Sequence, residues 1–319
     1  MAEMKKVAVI GTGVIGNGWI ARFLGQGYDV IAFDPAKGAE ERTRQVVKQV
    51  WSSLEKLGLA KSASQDRLTF VPTIEEAVRD AFFIQENVPE REDVKKSVLT
   101  SIDQYAKPDA IIGSSTSGIM ATTLQQGLKY PGRVIVAHPF NPVYILPLVE
   151  LVGGEATDAT VLEKAKEFYQ SIQMKPLVIK KEIEGHVADR LMEALWREAL
   201  HLVNDGVATT EEIDAAIIYG AGLRWAQMGP FLTFHLAGGD QGMRHMLEQF
   251  GPTLKLPWTK LEAPELTDEL KEKVIEGCEN HAGDTSIAEL ESKRNEFLVK
   301  LLDLVEDYWP ESKHVVKNQ

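Results

Sequence analysis

Cysteine is almost absent from this chain: Cys278 is the only one in 319 residues. A single thiol excludes an internal disulfide framework and fits a reducing compartment, so Cys278 reads as a small filler within a helix and the protein as cytoplasmic. Long apolar runs are missing too. No stretch reaches the roughly 18 consecutive apolar residues that a membrane span requires, so no membrane partner is expected. Lys5 and Lys6 precede an apolar stretch as in a secretory signal, but glycines, Asn17 and Arg22 interrupt it. Positive charge is in deficit: 35 Lys and Arg against 47 Asp and Glu leave a net charge of −12. Nucleic acid and anionic surfaces are therefore poor partners, although a local basic pocket for a small acid remains compatible. There is no internal repeat, no low-complexity linker and no expected metal site. What remains is the composition of a soluble globular protein, long enough for two domains and a large core.

The first thirty-odd residues organise the rest. Val7 to Ile10 reads as a buried parallel strand, followed at once by the G-x-G-x-x-G turn Gly11-Thr12-Gly13-Val14-Ile15-Gly16. A helical segment from Asn17 to Gln26 and a second strand, Asp29 to Phe33, lead to Asp34. Gly11 permits the tight turn, Gly13 lets the backbone approach a pyrophosphate, and Gly16 allows the helix to pack closely. The helix N-terminus offers free N–H groups and a positive dipole end to phosphates. Asp34, 18 residues after Gly16, stands where a carboxylate receives the adenosine ribose hydroxyls. It favours NAD over NADP because its charge repels a 2′-phosphate, a preference moderated by Lys37. Strand, turn, helix, strand and acid in this order predict dinucleotide binding.

Strand and helix patterns then alternate. Glu40 to Leu57 has apolar residues at helical spacing, with Trp51 read as core. Short strands are expected at Leu68 to Val71, Phe82 to Val88, Ala110 to Gly113, Val134 to Ala137 and Leu177 to Ile179, with an apolar run at Leu146 to Val152. Ligands in an open parallel sheet meet the carboxyl ends of strands. Glu86 and Glu90 stand at one such end, where cofactor contact and solvated loop polarity account for them equally. Ser114-Ser115-Thr116-Ser117-Gly118 and His138-Pro139-Phe140-Asn141-Pro142 follow two others. After Gly185 only helical patterns remain: His186 to Asn204, a capping box at Thr209 to Glu212 with its helix ended by Gly220, Phe231 to Phe250, Thr267 to Cys278, and Ser286 to Tyr308. The expected fold is a doubly wound, mostly parallel α/β sheet (Rossmann), residues 1–184, followed by an all-α domain, residues 185–319.

His138 gains weight from Glu150, a carboxylate in an otherwise apolar run. Burying an ionised Glu without a partner is costly, so a cation or donor should meet it. An imidazole in that role gains proton affinity and a fixed orientation, which suits removal of an alcohol proton while hydride leaves for nicotinamide. With Gly185-His186-Val187-Ala188-Asp189-Arg190, Pro147-Leu148-Val149-Glu150 and Gly229-Pro230-Phe231 added, nearly the whole chain resembles the 3-hydroxyacyl-CoA dehydrogenases. The resemblance implies His138 as general base, Glu150 as its orienting partner and Ser117 as a contact to substrate hydroxyl and cofactor. It also implies a homodimer joined through the helical domains.

Two departures point away from a CoA ester. Asp189 stands where the CoA enzymes carry asparagine, and Leu223 to Met228 is longer than in those enzymes. An arginine in that segment also occurs in relatives acting on free acids, such as the λ-crystallin-like gulonate dehydrogenases. Arg224 is thus a candidate for holding a substrate carboxylate in a bidentate pair, with a surface salt bridge as the alternative. The stretches Glu193 to Gly206, Gly220 to Trp225 and Leu254 to Thr259 resemble family members that oxidise a zwitterionic 3-hydroxy acid bearing a quaternary ammonium. Such a cation cannot donate hydrogen bonds and needs aromatic faces and an anion. Asp189 is the candidate anion, and Trp196, Trp225 and Phe140 are candidate walls; core packing is the competing account of each aromatic, and a helix-dipole role that of Asp189. The other readings are a gulonate or other free 3-hydroxy acid dehydrogenase, a 3-hydroxyacyl-CoA dehydrogenase, and a crystallin-like dinucleotide-binding structural protein.

Overall fold

The computed structural model describes residues 6–308, except 227, 239, 241, 253–255, 261–264, 266, 271, 273–283 and 285. Cys278 and most of the helix expected over Thr267 to Cys278 lie outside the described residues. The chain divides into two compact units, Met1–Arg190 and Leu191–Gln319.

The first unit is built on β1 (Lys6–Ile10), β2 (Asp29–Phe33), β3 (Leu68–Phe70), β4 (Phe83–Glu86), β5 (Ile111–Ser114), β6 (Val134–Pro139), β7 (Leu148–Gly153) and β8 (Lys175–Ile179). They form one sheet in the order β3-β2-β1-β4-β5-β6-β7-β8. Every neighbouring pair is parallel except β6 and β7. The connections reverse direction at β1 and β4, which opens a crevice outside their carboxyl ends.

Alternation along β1 explains the layering, because successive side chains point to opposite faces. Val7 and Val9 enter one core with Trp19 and Phe23 of α1 (Val14–Gly25), Val47 of α2 (Ala39–Leu57), and Phe168 and Tyr169 of the helix at Ala159–Ser171. Ala8 and Ile10 enter the other, with Val78 of α3 (Ile74–Val78), Leu99 and Ile102 of α4 (Glu92–Tyr105), and Leu124 of α5 (Ala121–Gln125). The helix Ala159–Ser171 is α6. Both faces are covered, as a parallel sheet requires.

The second unit holds helices and no strand among its described residues. Helix α7 (Ala188–Asn204) begins in the first unit and ends in the second; α8 (Thr210–Ala216), α9 (Gly222–Trp225), α10 (Pro230–Ala237), α11 (Met243–Phe250) and α12 (Ile287–Tyr308) follow. Thr209 and Glu212 form the expected capping box. Gly220 breaks its helix as expected: its φ of −111° and ψ of −105° are non-helical, inside the π turn Ile217–Ala221, and α9 begins just beyond. One expectation needs correction. Phe231 to Phe250 is two helices, because Gly242 takes φ +59° and Met243 N–H bonds Nδ1 of His235 at 3.1 Å. No described helix is long and apolar enough to cross a membrane.

Candidate active site

At the end of β1, Gly11 turns with φ +88°, a left-handed conformation that glycine adopts without penalty. A Cβ at Gly16 would stand 2.0 Å from the Gly11 carbonyl oxygen, so α1 starts this close only with glycine there. Around Gly13, by contrast, no atom lies within 4 Å of the place a Cβ would take, and this N-cap carries no side-chain hydrogen bond. An uncapped helix start with an approachable backbone fits a pyrophosphate. Thr12 is buried, Val14 is exposed, and Ile15 packs against the core. Asp34 accepts Thr12 N–H at 2.7 Å and its hydroxyl at 3.1 Å through Oδ2, and Ala36 N–H at 2.8 Å through Oδ1. The same carboxylate lines a cleft of about 670 Å³ with Gly38, Arg44, Phe70 and Pro72. These residues fit a dinucleotide whose adenosine end lies against Asp34.

His138 and Glu150 are direct cross-strand partners on the antiparallel pair β6 and β7. Opposed residues on such a pair share one face, so the register alone brings the side chains together. Nδ1 of His138 lies 3.0 Å from Glu150 Oε2. The other oxygen, Oε1, accepts the N–H groups of Val187 at 3.0 Å and Ala188 at 2.9 Å. Glu150 is wholly buried and His138 nearly so. Burial alone would raise the Glu150 pKa, but the bonds from His138, Ala188 and Val187 outweigh it and hold the group below its ordinary value. On the opposite side of the ring, Nε2 of His138 lies 3.6 Å from Oδ2 of Asp189, in the first turn of α7. Phe140 stands edge-on to the imidazole, ring centroids 5.5 Å apart. Buried Arg22, its pKa lowered to about 10 by desolvation, anchors the following loop through the Val143 carbonyl.

An imidazole backed by a buried carboxylate, on the sheet that carries the dinucleotide turn, is the equipment of an alcohol dehydrogenase. Residues 6–183 match the family described as 3-hydroxyacyl-CoA dehydrogenase, NAD binding domain, and residues 185–277 its C-terminal domain. The chain belongs to the 3-hydroxyacyl-CoA dehydrogenase family. Its cofactor is NAD, and it is a dehydrogenase acting on a secondary alcohol. It is 72% identical over 307 residues to an L-carnitine dehydrogenase of Oceanobacillus iheyensis, covering 96% of this chain and 100% of the relative. An L-carnitine dehydrogenase of Bacillus cereus is 66% identical, covering 97% and 94%. Among solved structures, an NAD+-dependent 5-formyl-3-hydroxy-2-methylpyridine 4-carboxylic acid 5-dehydrogenase is similar at TM-score 0.80 and 29% identity, covering 95% of this chain and 99% of its own.

In this 3-hydroxyacyl-CoA dehydrogenase family member, Ser117 sits on a loop held from beneath. Glu90 Oε1 accepts the Thr116 hydroxyl and the N–H groups of Ser117 at 3.1 Å and Gly118 at 3.2 Å. Behind it, Lys95 pairs with Glu86 at 2.9 Å, both fully buried, and Glu86 also takes the Ser114 hydroxyl. Solvated loop polarity therefore fails as an account of Glu86. Sequence reading gave Lys95 and His186 no role. His186 is buried with φ +48°, its Nε2 is 3.2 Å from the Thr116 carbonyl, and its ring centroid is 5.4 Å from that of His138. It thereby links the Ser117 loop to the dyad. Burial depresses its pKa, so the ring is neutral near neutral pH. Its one available signal was a histidine between Gly185 and the Asp189 helix start, where neighbouring backbone N–H groups bind Glu150.

The remaining candidates belong to the helical unit. Trp196 is half-exposed on α7, seven positions after Asp189 and therefore on the same helical face. Arg224 and Trp225 are exposed on α9, directly after the π turn.

Proposed function

We propose that this chain oxidises the 3-hydroxyl of L-carnitine to 3-dehydrocarnitine, in carnitine degradation, with Gly11 to Gly16 and Asp34 holding NAD. The observation that carries the reading is the His138–Glu150 pair, 3.0 Å apart, with a second carboxylate, Asp189, 3.6 Å from the ring's far nitrogen. NAD+, when held by these residues, would supply the acceptor for the hydride of carbon 3. His138 takes the hydroxyl proton on Nε2, and Glu150 fixes the tautomer by accepting from Nδ1 and stabilises the imidazolium. Ser117 holds the reacting oxygen. Arg224 binds the carboxylate as a bidentate pair. Asp189 faces the trimethylammonium, with Phe140, Trp196 and Trp225 as walls.

The identity of 72% to an L-carnitine dehydrogenase over nearly the whole chain supports the substrate. Residues 1–184 serve as the NAD-binding domain and 185–319 as the substrate and dimerisation domain. The protein works as a homodimer in the cytoplasm. Leu191, Met192 and Leu195 of α7 and Phe231, Phe234 and Leu236 of α10 are exposed, and apolar surface on this scale supports an interface. The test is NADH production from L-carnitine, gulonate and 3-hydroxybutyryl-CoA. Turnover with carnitine exceeding the other two is expected; preference for gulonate or the CoA ester, or no turnover with carnitine, overturns the substrate.

A further inference from the structure

Asn87 directly follows β4, at the reversal of the sheet's connections, and is pressed against the dinucleotide turn. Its N–H bonds the Ile10 carbonyl at 2.7 Å. A Cβ at Gly11 would stand 2.8 Å from the Asn87 carbonyl oxygen, and one at Gly16 would stand 3.5 Å from the Asn87 Cβ. The side chain is held by hydrogen bonds whose directions are all forced. Nε2 of Gln85 faces the Ala137 carbonyl at 3.4 Å, and a carbonyl only accepts, so that atom is the amide nitrogen. The same nitrogen donates to Ser115 Oγ at 2.8 Å, while Gln85 Oε1 accepts from the buried Tyr169 hydroxyl at 2.6 Å. Trp19 Nε1, which can only donate, also reaches Ser115 Oγ, at 3.1 Å. With both lone pairs filled, Ser115 has only its hydrogen left, and gives it to Asn87 Oδ1 at 2.8 Å. Asn87 Nδ2 then faces the Gln85 carbonyl and donates to it at 3.0 Å. Both contacts demand the same amide orientation.

An amide nitrogen carries two hydrogens. Gln85 takes one; the second has no acceptor among the described residues, and Asn87 is only half-buried, so a ligand can reach it. We propose that Asn87 is a further cofactor-binding residue. Its second Nδ2 hydrogen goes to an oxygen of NAD in the segment formed by the pyrophosphate and the ribose that bears the nicotinamide. Ser115 is the positioning residue that aims it. Strand order assigns the segment. Asp34 ends β2 and Asn87 follows β4, with β1 and its glycine turn between them. A dinucleotide with its adenosine at Asp34 and its pyrophosphate at Gly13 therefore turns its other half toward Asn87. The oxygens of that half are acceptors, which a fixed amide donor suits, and a donor aimed before the ligand arrives costs little ordering on binding.

This inference rests on the placement of the pyrophosphate at Gly13, and fragments of the cofactor test the two separately. ADP-ribose keeps the pyrophosphate and the second ribose, whereas AMP lacks both. In calorimetric titrations of the full-length protein, the wild type should bind ADP-ribose at least about tenfold tighter than AMP. Asn87→Ala should weaken ADP-ribose and NAD+ about tenfold, as loss of one hydrogen bond to a polar or charged oxygen does, and leave AMP within about twofold. Ser115→Ala should weaken ADP-ribose about threefold. The double variant Ser115→Ala/Asn87→Ala should lose no more than Asn87→Ala alone, because the hydroxyl acts through the amide. A merely structural Ser115 would instead add its loss to that of Asn87→Ala and weaken AMP equally, which overturns the positioning role. Unchanged ADP-ribose affinity in Asn87→Ala, or a loss shared equally by AMP, overturns the contact while leaving the pyrophosphate placement intact. A wild type that binds ADP-ribose no tighter than AMP overturns that placement, and the contact with it.

Discussion

Replacing Glu150 by glutamine changes one charge and almost no volume. Glu150 receives the N–H groups of Val187 and Ala188 on Oε1 and faces Nδ1 of His138 with Oε2. The glutamine carbonyl keeps the two backbone bonds, so its NH2 group must turn to the imidazole. That donor makes Nδ1 an acceptor and moves the ring proton to Nε2, the atom that has to take the alcohol proton. A carboxylate-to-amide change behind a catalytic imidazole lowers kcat by about ten-thousandfold. At 1.36 kcal/mol per decade this is about 5 kcal/mol of lost transition-state stabilisation. The fold loses little, because the retained bonds leave a stability change within about 1 kcal/mol. Steady-state NADH formation, NADH binding by fluorescence and urea unfolding measure the three quantities. A kcat within tenfold of wild type, with binding and unfolding midpoint unchanged, would refute the tautomer argument.

Gly13→Ala adds a Cβ where no protein atom lies within 4 Å, at a φ of −67°, so the unfolding midpoint should stay put while NAD affinity drops at least about tenfold in calorimetric titration; unchanged affinity would contradict the pyrophosphate placement. Lys95→Met strands the buried Glu86 carboxylate and should cost about 3–5 kcal/mol in urea unfolding, with Glu86→Gln in the same chain recovering most of it. A loss below about 1 kcal/mol would show the pair to be better solvated than its burial indicates. Acid should destabilise the protein in two stages. His186, depressed by burial below its ordinary 6.5, is neutral when folded and charged when unfolded, so stability declines as pH falls below about 6.5; Glu150, held below 4.5, adds a second decline at lower pH. Urea midpoints that rise on acidification from pH 7 to 4 would reverse that sign.

Much of the first unit was legible because its signals are local. The β1 run, the spacing of Gly11, Gly13 and Gly16, and the acid at Asp34 occupy one βαβ stretch, and each has its own steric or electrostatic reason. Glu150 was equally readable as a buried carboxylate in need of a partner. The helical unit was read less well. Phe231 to Phe250 is apolar enough to pass for one helix, and nothing in its periodicity reveals that Gly242 takes a positive φ beneath His235.

The sequence by itself determined the alternation of strand and helix, the dinucleotide turn and the residue types of the dyad, because these follow from side-chain period, glycine sterics and the cost of burying charge. The tertiary structure alone decided who meets whom. Antiparallel pairing of β7 with β6, in an otherwise parallel sheet, sets Glu150 opposite His138. The start of α7 then brings Asp189 to the far side of the same ring, and α4 delivers Lys95 to Glu86. Strand register and helix placement arise from non-local contacts made only once both faces of the sheet are covered, and no window of sequence contains them.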